Sequence, residues 1–438
     1  MVSDFLWRVL PAACIIIPCL TGVGCRSYEA APIDWTREAS DWSRSSTNRV
    51  SLTRAEARAC ALVLNPAINA LRLKHLSSQR HAQAAGWWED PAFNVDALRV
   101  LRGGPHPWIV GSGLSFTLPL NGVPGLEKRA AQAYGQADAL AVTVAERELL
   151  AEVDRRWTAC QTDQRCAAAQ QVYKKRLQDR ERSVQALIAT GELPKAEGDR
   201  IAQERIKLDL DCACCGAETV ARRQAFLRLL GLHPSAPLEP VEEEGTPTGF
   251  GEPPASDLDL VRHPRVQERL ARFEASEEAL RAALRKQYPD LVLGPLYENE
   301  EGGGRLGASL GLNLPLWNRN RKGIAEAEGG RAAARLAAVD EWRGLVAEWH
   351  EAQRLLEVAE AKEQRIRETL LPEAQRAAER TERLFKQGEA DVLAILAADA
   401  AVYSVQEGLL EATRSLGDAR VRLNVLQIPP SPVSNIAK

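Results

Sequence analysis

The feature that most limits what this chain can become is an internal repeat. Leu114-Ser115-Phe116-Thr117-Leu118-Pro119-Leu120 recurs as Leu310-Gly311-Leu312-Asn313-Leu314-Pro315-Leu316, an offset of 196 residues. Three further landmarks keep almost the same offset. Asn65-Pro66 answers His263-Pro264, Leu187-Ile188-Ala189-Thr190-Gly191-Glu192 answers Leu384-Phe385-Lys386-Gln387-Gly388-Glu389, and Leu227 to Pro234 answers Leu423 to Pro430. The chain is therefore one module written twice. Between the copies, Pro234 to Pro254 is rich in Pro, Gly and Glu, with Val241-Glu242-Glu243-Glu244-Gly245 at its centre, and reads as a connecting segment.

Both modules show the same order of elements. A helix comes first, about Ser51 to Gly86 and then Leu258 to Gln287. Two short alternating segments follow around a Gly-rich turn, at about 91–101 and 108–120 in the first copy and 290–298 and 305–317 in the second. Each module ends in a long helical hairpin. The first runs from about Gly125 to Thr190 and back from Lys195 to Leu230, the second from about Arg321 to Lys386 and back from Ala390 to Leu426. A helix of about 65 residues is on the order of 100 Å long, far beyond a hydrocarbon layer of ~30 Å, so these helices project through water. The expected divisions are 1–25, a targeting segment; 26–50, a linker; 51–233, the first repeat; 234–257, the connection; 258–428, the second repeat; and 429–438, a tail.

The alternating segments carry the membrane argument. In Arg305 to Trp317, Leu306, Ala308, Leu310, Leu312, Leu314 and Leu316 share one face, while Gly307, Ser309, Gly311 and Asn313 share the other. In the first copy Val110, Ser112, Leu114, Phe116, Leu118 and Leu120 alternate with Gly111, Gly113, Ser115 and Thr117, and Phe93, Val95 and Ala97 alternate with Asn94 and Asp96. One face is oily and the other small and polar. Strands near ten residues with this pattern suit a transmembrane barrel that meets lipid outside and water inside. A half-buried soluble sheet shows the same alternation, and the repeat together with the N-terminal segment decides for the membrane. Four strands cannot close around a lumen, and open edges are not tolerated in lipid, so several chains must share one barrel.

Composition closes off other classes. With 45% hydrophobic residues over 438 positions the chain can bury a substantial core, and 56 basic and 59 acidic residues are interleaved, so no basic tract marks a nucleic-acid surface. Beyond the N-terminus no run of 18 apolar residues is apparent, which leaves strands to enter a membrane. The first 25 residues read as a targeting segment: Arg8 gives a positive flank, Val9 to Val23 is apolar, and Leu20-Thr21-Gly22-Val23-Gly24-Cys25 resembles a bacterial lipobox with Cys25 as the lipidated residue, simple cleavage or an uncleaved N-terminal anchor being the alternatives.

Leu314-Pro315-Leu316-Trp317-Asn318-Arg319-Asn320-Arg321-Lys322, an Ala/Glu/Arg-rich helix, and then Phe385-Lys386-Gln387-Gly388-Glu389-Ala390-Asp391-Val392-Leu393 together resemble the second repeat of TolC-like outer-membrane efflux proteins. The resemblance covers nearly the whole chain after Cys25. It implies a mainly α fold with a small transmembrane β part: long antiparallel helical hairpins forming an α-barrel tunnel, and four strands per chain contributing to a shared trimeric β-barrel. It also implies a homotrimer in the bacterial outer membrane, in contact with its lipid, with helices in the periplasm. A periplasmic adaptor and an inner-membrane pump are the implied partners. No cofactor and no metal are implied, and nucleic acid is not a partner.

On that resemblance the hairpin tips Thr190, Gly191, Glu192, Leu193 and Gln387, Gly388, Glu389, Ala390 meet the adaptor. Gly191 and Gly388 also suit a tight reversal that needs a positive φ. The family often gates with an acidic ring just after the second tip. The corresponding positions here are Ala394 and Ala397, which departs from the pattern and leaves Asp391 and Asp399 as candidate gate carboxylates, with plain exposed helix carboxylates as the alternative. Ala332, Ala333, Ala334, Leu336, Ala337, Val339, Leu345 and Val346 form a small-residue seam for close helix packing.

Six cysteines follow Cys25, all in the first module: Cys60, Cys160, Cys166, Cys212, Cys214 and Cys215. Cys212-Ala213-Cys214-Cys215 could attract a soft metal. Disulfides fit the spacing better, because Cys166 lies 25 residues before Gly191 and Cys215 lies 24 after it, and the periplasm is oxidising. The expected clamp joins Cys166 to one of Cys212, Cys214 or Cys215, and Cys160 to another of that cluster.

Enzymatic patterns do not assemble. His350-Glu351 lacks a second histidine, Gly302-Gly303-Gly304 has no following helix to cradle phosphate, and no serine elbow occurs. The sequence thus points to an outer-membrane export channel subunit without catalysis. A periplasmic coiled-coil scaffold or adaptor that never enters the membrane is the alternative.

Overall fold

The computed structural model describes residues 28–44, 50–99, 101, 108–240, 249–300, 303–312 and 314–430. Cys25 lies outside them. The chain divides into two units, residues 1–45 and 46–438.

Among its described residues the first unit contributes one helix, α1 (Trp35–Arg44). Asp34 starts it by accepting from the backbone N–H of Thr36 (3.0 Å) and Arg37 (3.1 Å). At 100° per residue Trp35, Ala39 and Trp42 fall on one arc, while on the opposite side Asp41 pairs with Arg37 (3.8 Å) and Arg44 (3.0 Å).

In the second unit, β1 (Val50–Leu52) leads into α2 (Arg54–Leu64) and α3 (Pro66–Ala84). A single helix from Ser51 to Gly86 was expected; the chain instead breaks at Asn65-Pro66. Pro66 has no N–H to continue the ladder, and Asn65 restarts the helix by accepting from Ala67 N (2.9 Å). The second copy repeats the device. A 3₁₀ turn over Asp257–Arg262 replaces the expected start at Leu258, and α6 (Pro264–Arg285) begins behind His263.

Strands β2 (Ala92–Arg99), β3 (Trp108–Leu118), β5 (Leu291–Glu300) and β6 (Gly303–Leu312) form one antiparallel sheet in the order β2-β3-β5-β6. The last strand stops short of the expected Trp317. Pro315 cannot donate, and Leu316 N bonds to Leu314 O at 2.9 Å; the first copy makes the same reversal with Leu120 N to Leu118 O, also 2.9 Å. Leu120, Leu314 and Leu316 therefore leave the strand face to which alternation assigned them. The connection also holds more order than expected, since β4 (Leu238–Pro240) pairs in parallel with β1, and Glu252 bridges Ile428.

The first hairpin is α4 (Val123–Ala189, 67 residues) and α5 (Lys195–Leu229). The second departs from the expected unbroken helix over 321–386: α7 (Arg321–Arg365) passes through a π turn at Ile366–Leu370 into α8 (Leu371–Lys386), and α9 (Val392–Val425) returns. By length and composition α9 is apolar enough to cross a bilayer, with a mean hydropathy of 1.4 over its best window. It is not an uninterrupted apolar run, because Asp399, Ser404, Gln406 and Glu407 break it. Here α9 is a packed arm, burying Val392, Ile395, Leu396, Asp399 and Val402.

Two cores lie at the middle of the molecule, one per repeat. Leu149, Val153, Trp157, Phe226, Leu227 and Leu230 gather around Ile68 in the first, with Trp157 and Phe226 edge to face at 6.3 Å. Leu260, Val266, Leu345, Trp349 and Leu426 build the second. Arg147 ties them to the connection by donating to Phe250 O (2.9 Å) and Gln427 O (3.0 Å).

Candidate functional site

Strand register fixes the two faces of the sheet. Phe93 pairs with Leu114, Phe116 with Leu293, and Leu293 with Leu310; Leu291 pairs with both Leu118 and Leu312. Successive pairs of this set point the same way, giving one continuous apolar face. It is open: Val95 is 61% exposed, Leu310 68% and Leu306 82%. A soluble sheet covers such a face, and an uncovered patch marks contact with a partner or a lipid phase. The opposite face carries Asn94, Asp96, Gly111, Gly113, Ser115, Thr117, Glu298, Arg305, Gly307, Ser309 and Gly311, but not these alone. Leu98, Ile109, Val292 and Leu296 also fall there by register, so the alternation is less clean than the first and last strands suggest.

At the helical end of the sheet sits a feature the sequence reading missed. Trp87 and Trp88 precede β2, Tyr288 precedes β5, and Trp317 follows β6, all exposed, Trp317 to 91%. Their amphipathic rings are suited to the boundary between hydrocarbon and water, as in the aromatic girdles of membrane barrels. The signal was available: each lies within a few residues of a strand root.

Both hairpin tips reverse through left-handed glycines, Gly191 at φ +81° and Gly388 at φ +76°. The turns close alike, with Glu192 N on Leu187 O and Glu389 N on Leu384 O, both 2.9 Å. Thr190, Gly191, Glu192, Gln387, Gly388 and Glu389 are exposed, while Leu193 and Ala390 are half-buried. Beneath the tips one cluster joins the hairpins: Tyr173, Leu177, Val184 and Ile201 of the first pack with Val392 and Leu396 of the second, and Tyr173 stacks on Tyr403 at 4.5 Å.

The two candidate gate carboxylates lie in different settings. Asp391 caps α9, accepting from Ala394 N at 2.8 Å. Asp399 is 2% exposed and bound by Arg180 (2.9 Å) and Arg176 (3.3 Å) of α4, and Arg180 also holds Glu382 at 3.2 Å. A buried carboxylate held by two guanidiniums is a tie between hairpins of one chain, not a free member of a carboxylate ring. The hydrogen bond from Arg180, with a second from Lys386, pulls Glu382 down to about 2.

All six cysteines in the described residues are free, and the expected disulfide clamp is not formed in this structure. Ion pairs set the register of the first hairpin: Asp163 to Arg222 (2.9 Å), Lys174 to Asp209 (2.6 Å), Glu181 to Arg205 (3.8 Å). Cys160 thus lies level with Arg222 and Arg223, about three turns from Cys212, Cys214 and Cys215, and burial pushes its thiol up to about 11. Cys166 and Cys215 do come within electrostatic reach across the arms but remain unbonded. Among the described residues, no group of three or more His, Cys, Asp or Glu side chains could hold a metal ion.

An open-edged sheet with a lipid-type face, rooted on paired helical hairpins about 100 Å long, is an architecture suited to a membrane channel subunit. Residues 256–426 match the family described as outer membrane efflux protein. The fold is similar to that of CusC (TM-score 0.75, 16% identity, 91% of this chain and 95% of that one). It is similar also to VceC of Vibrio cholerae (0.72, 15%, 86% and 96%) and to the MtrE channel of Neisseria gonorrhoeae (0.70, 17%, 85% and 88%). No curated protein matches by sequence. The second repeat thus matches the outer membrane efflux protein family, and the chain as a whole shares the fold of these outer-membrane channels.

Proposed function

We propose that three copies of this chain close one twelve-stranded barrel and extend a helical tunnel into the periplasm, receiving cargo from an inner-membrane pump through a periplasmic adaptor. The observation that carries this is the four-stranded sheet, whose apolar face is uncovered and whose outer strands β2 and β6 each leave an edge without a partner among the described residues. In lipid such edges must be closed, and a second and third copy supply strands of the right length. Exposed tip residues 190–192 and 387–389 are the surface offered to the adaptor. Lipidation of Cys25 would hold the segment that leads into α1 at the membrane, and the Trp35-Ala39-Trp42 arc suits an interfacial position.

Purified protein in planar bilayers tests the reading. Discrete conductance steps and a heat-resistant trimer on gels are expected. Leu312→Arg or Phe116→Arg should each cost about 2–4 kcal/mol near the midplane and impair assembly, whereas Ser115→Arg on the water face should alter conductance alone. A soluble, elongated monomer that tolerates all three changes equally would instead support a periplasmic scaffold.

A further inference from the structure

The water face of the sheet is not evenly polar. Register aligns Asp96 with Gly111, Gly111 with Glu298, and Glu298 with Arg305, one row crossing all four strands near their outer ends. Gly111 sits low between the two acids: a Cβ built there would lie 3.8 Å from Asp96 Cβ and 3.6 Å from Glu298 Cγ. Both acidic side chains therefore stand on the same face, separated by a strand that contributes no side chain. From this row to the strand roots that face carries no formal charge, the polar positions being Asn94, Ser115, Thr117 and Ser309. Glu300, paired with Gly303, follows one row outward. At the other end of the molecule, the carboxylates beside the second tip are committed, Asp391 to a helix cap and Asp399 to two arginines.

We infer that the Asp96, Glu298 and Arg305 row is the charge filter of the channel, favouring cationic over anionic solutes within the barrel. The inference rests on the shared-barrel reading above. Per chain the row holds two carboxylates and one guanidinium. Glu298 faces Arg305 directly, whereas Asp96 faces Gly111, so within this row the count leaves one net negative charge per chain. Repeated around a closed barrel, these charges surround one level of the lumen. Low-dielectric walls focus their field on the solution between them, raising the local concentration of cations and lowering that of anions. Charge count orders the variants. Asp96→Asn and Glu298→Gln each bring the row to neutrality, while Arg305→Gln doubles its net charge.

Reversal potential across a KCl gradient reads this directly, with the dilute side near 0.1 M so that the Debye length stays at about 10 Å. Full-length wild-type protein should reverse on the cation-selective side. Asp96→Asn and Glu298→Gln should bring the cation-to-anion permeability ratio toward one, and Arg305→Gln should raise it above wild type. Heat-resistant oligomer on gels confirms assembly of each variant, and Arg305→Gln tests the filter even if Asp96→Asn fails to assemble. A reversal potential unmoved by these changes, or moved the same way by Asp96→Asn and Arg305→Gln, overturns the filter while leaving the channel intact. Wild-type protein that does not conduct at all removes the channel reading, and the filter with it.

Discussion

The two repeats build the same junction from different chemistry. In the first, Asn65 accepts from Ala67 N at 2.9 Å and donates from Nδ2 to Leu229 O at 3.0 Å. In the second, His263 Nδ1 accepts from Arg265 N at 3.3 Å, and its Nε2–H donates to Val425 O at 3.0 Å. Leu229 and Val425 are themselves 196 apart, so one side chain in each copy starts a helix behind a proline and ties it to the end of the returning arm. Geometry is what the duplication kept. An amide meets it at any pH, but an imidazole meets it only when Nδ1 is unprotonated.

Charge distributes unequally as well, and the largest expected effect follows from that. Asp399 on α9 binds Arg176 and Arg180, whereas Gln203, 196 positions earlier on α5, is exposed and carries no charge. Asp399→Asn leaves two guanidiniums against a neutral amide in a buried setting and should destabilise the tip region by about 3–5 kcal/mol. Hydrogen exchange over 173–188 and 392–403 should quicken correspondingly while the central cores stay protected. Gln203→Ala should change neither. Equal exchange in the two variants would show that the tie between hairpins adds nothing to tip stability.

The junction comparison sharpens through pH. Burial is the main cause that lowers His263 to about 4 from 6.5, with Arg147 and Arg265 acting the same way and the bond to Val425 and Glu348 opposing. The fold binds the neutral ring, so this stabilisation is complete above pH 6.5 and is lost as pH falls toward 4. The loss reaches about 3 kcal/mol near pH 4. Exchange over 257–270 and 420–428 should therefore quicken between pH 6.5 and 4, and His263→Asn, which copies the first repeat, should flatten that dependence. A His263→Asn profile identical to wild type would assign the pH response to other groups.

The repeats also end differently. Gly231 closes α5 at φ +76°, where a Cβ would sit 2.7 Å from Leu64 O, backbone that cannot move aside; the second copy has Gln427 there, with no positive φ. Gly231→Ala combines a left-handed residue with that overlap and should cost about 2–3 kcal/mol. Gly191→Ala has open space around it and should cost only about 1 kcal/mol for the backbone conformation. Urea midpoints of the two variants separate these contributions.

What was legible in the sequence was whatever repeats or alternates over a short span. The duplication, the strand positions, the hairpins and the tip glycines follow from local patterns. The Asn65-Pro66 and His263-Pro264 breaks were visible as repeat landmarks, and a cap residue before proline is also a helix start, so the signal was present but was not used for that purpose. The partners of Asp399 were not legible. Arg176 lies 223 residues away, and nothing local distinguishes an exposed helix carboxylate from one folded onto another hairpin. The cysteine heights were legible in part: counting from Gly191 matches Cys166 with Cys215, which do approach, but Cys160 falls near Arg222, as the Asp163 to Arg222 ion pair fixes.

The smallest expected effect concerns the π turn at Ile366–Leu370, which the first repeat lacks. Two causes compete. Pro372 has no N–H and crowds the preceding turn, which often widens a helix. The repeat offset suggests the other. Leu149 and Val153 answer Leu345 and Trp349 at 196, but Leu187 and Gly191 answer Leu384 and Gly388 at 197, so one residue has been added to the outgoing arm between core and tip. A π turn is how a helix absorbs one extra residue without rotating everything beyond it. The return arm compensates, since α9 has 34 residues where α5 has 35. On this account Pro372 occupies a turn that the insertion created. Pro372→Ala should keep the π turn and shift stability by less than about 1 kcal/mol, whereas deleting Glu368 should restore a continuous α-helix with Pro372 changed to Ala. Amide exchange and a crystal structure of Pro372→Ala decide it: a π turn that disappears with the proline alone makes the proline the cause and the offset incidental.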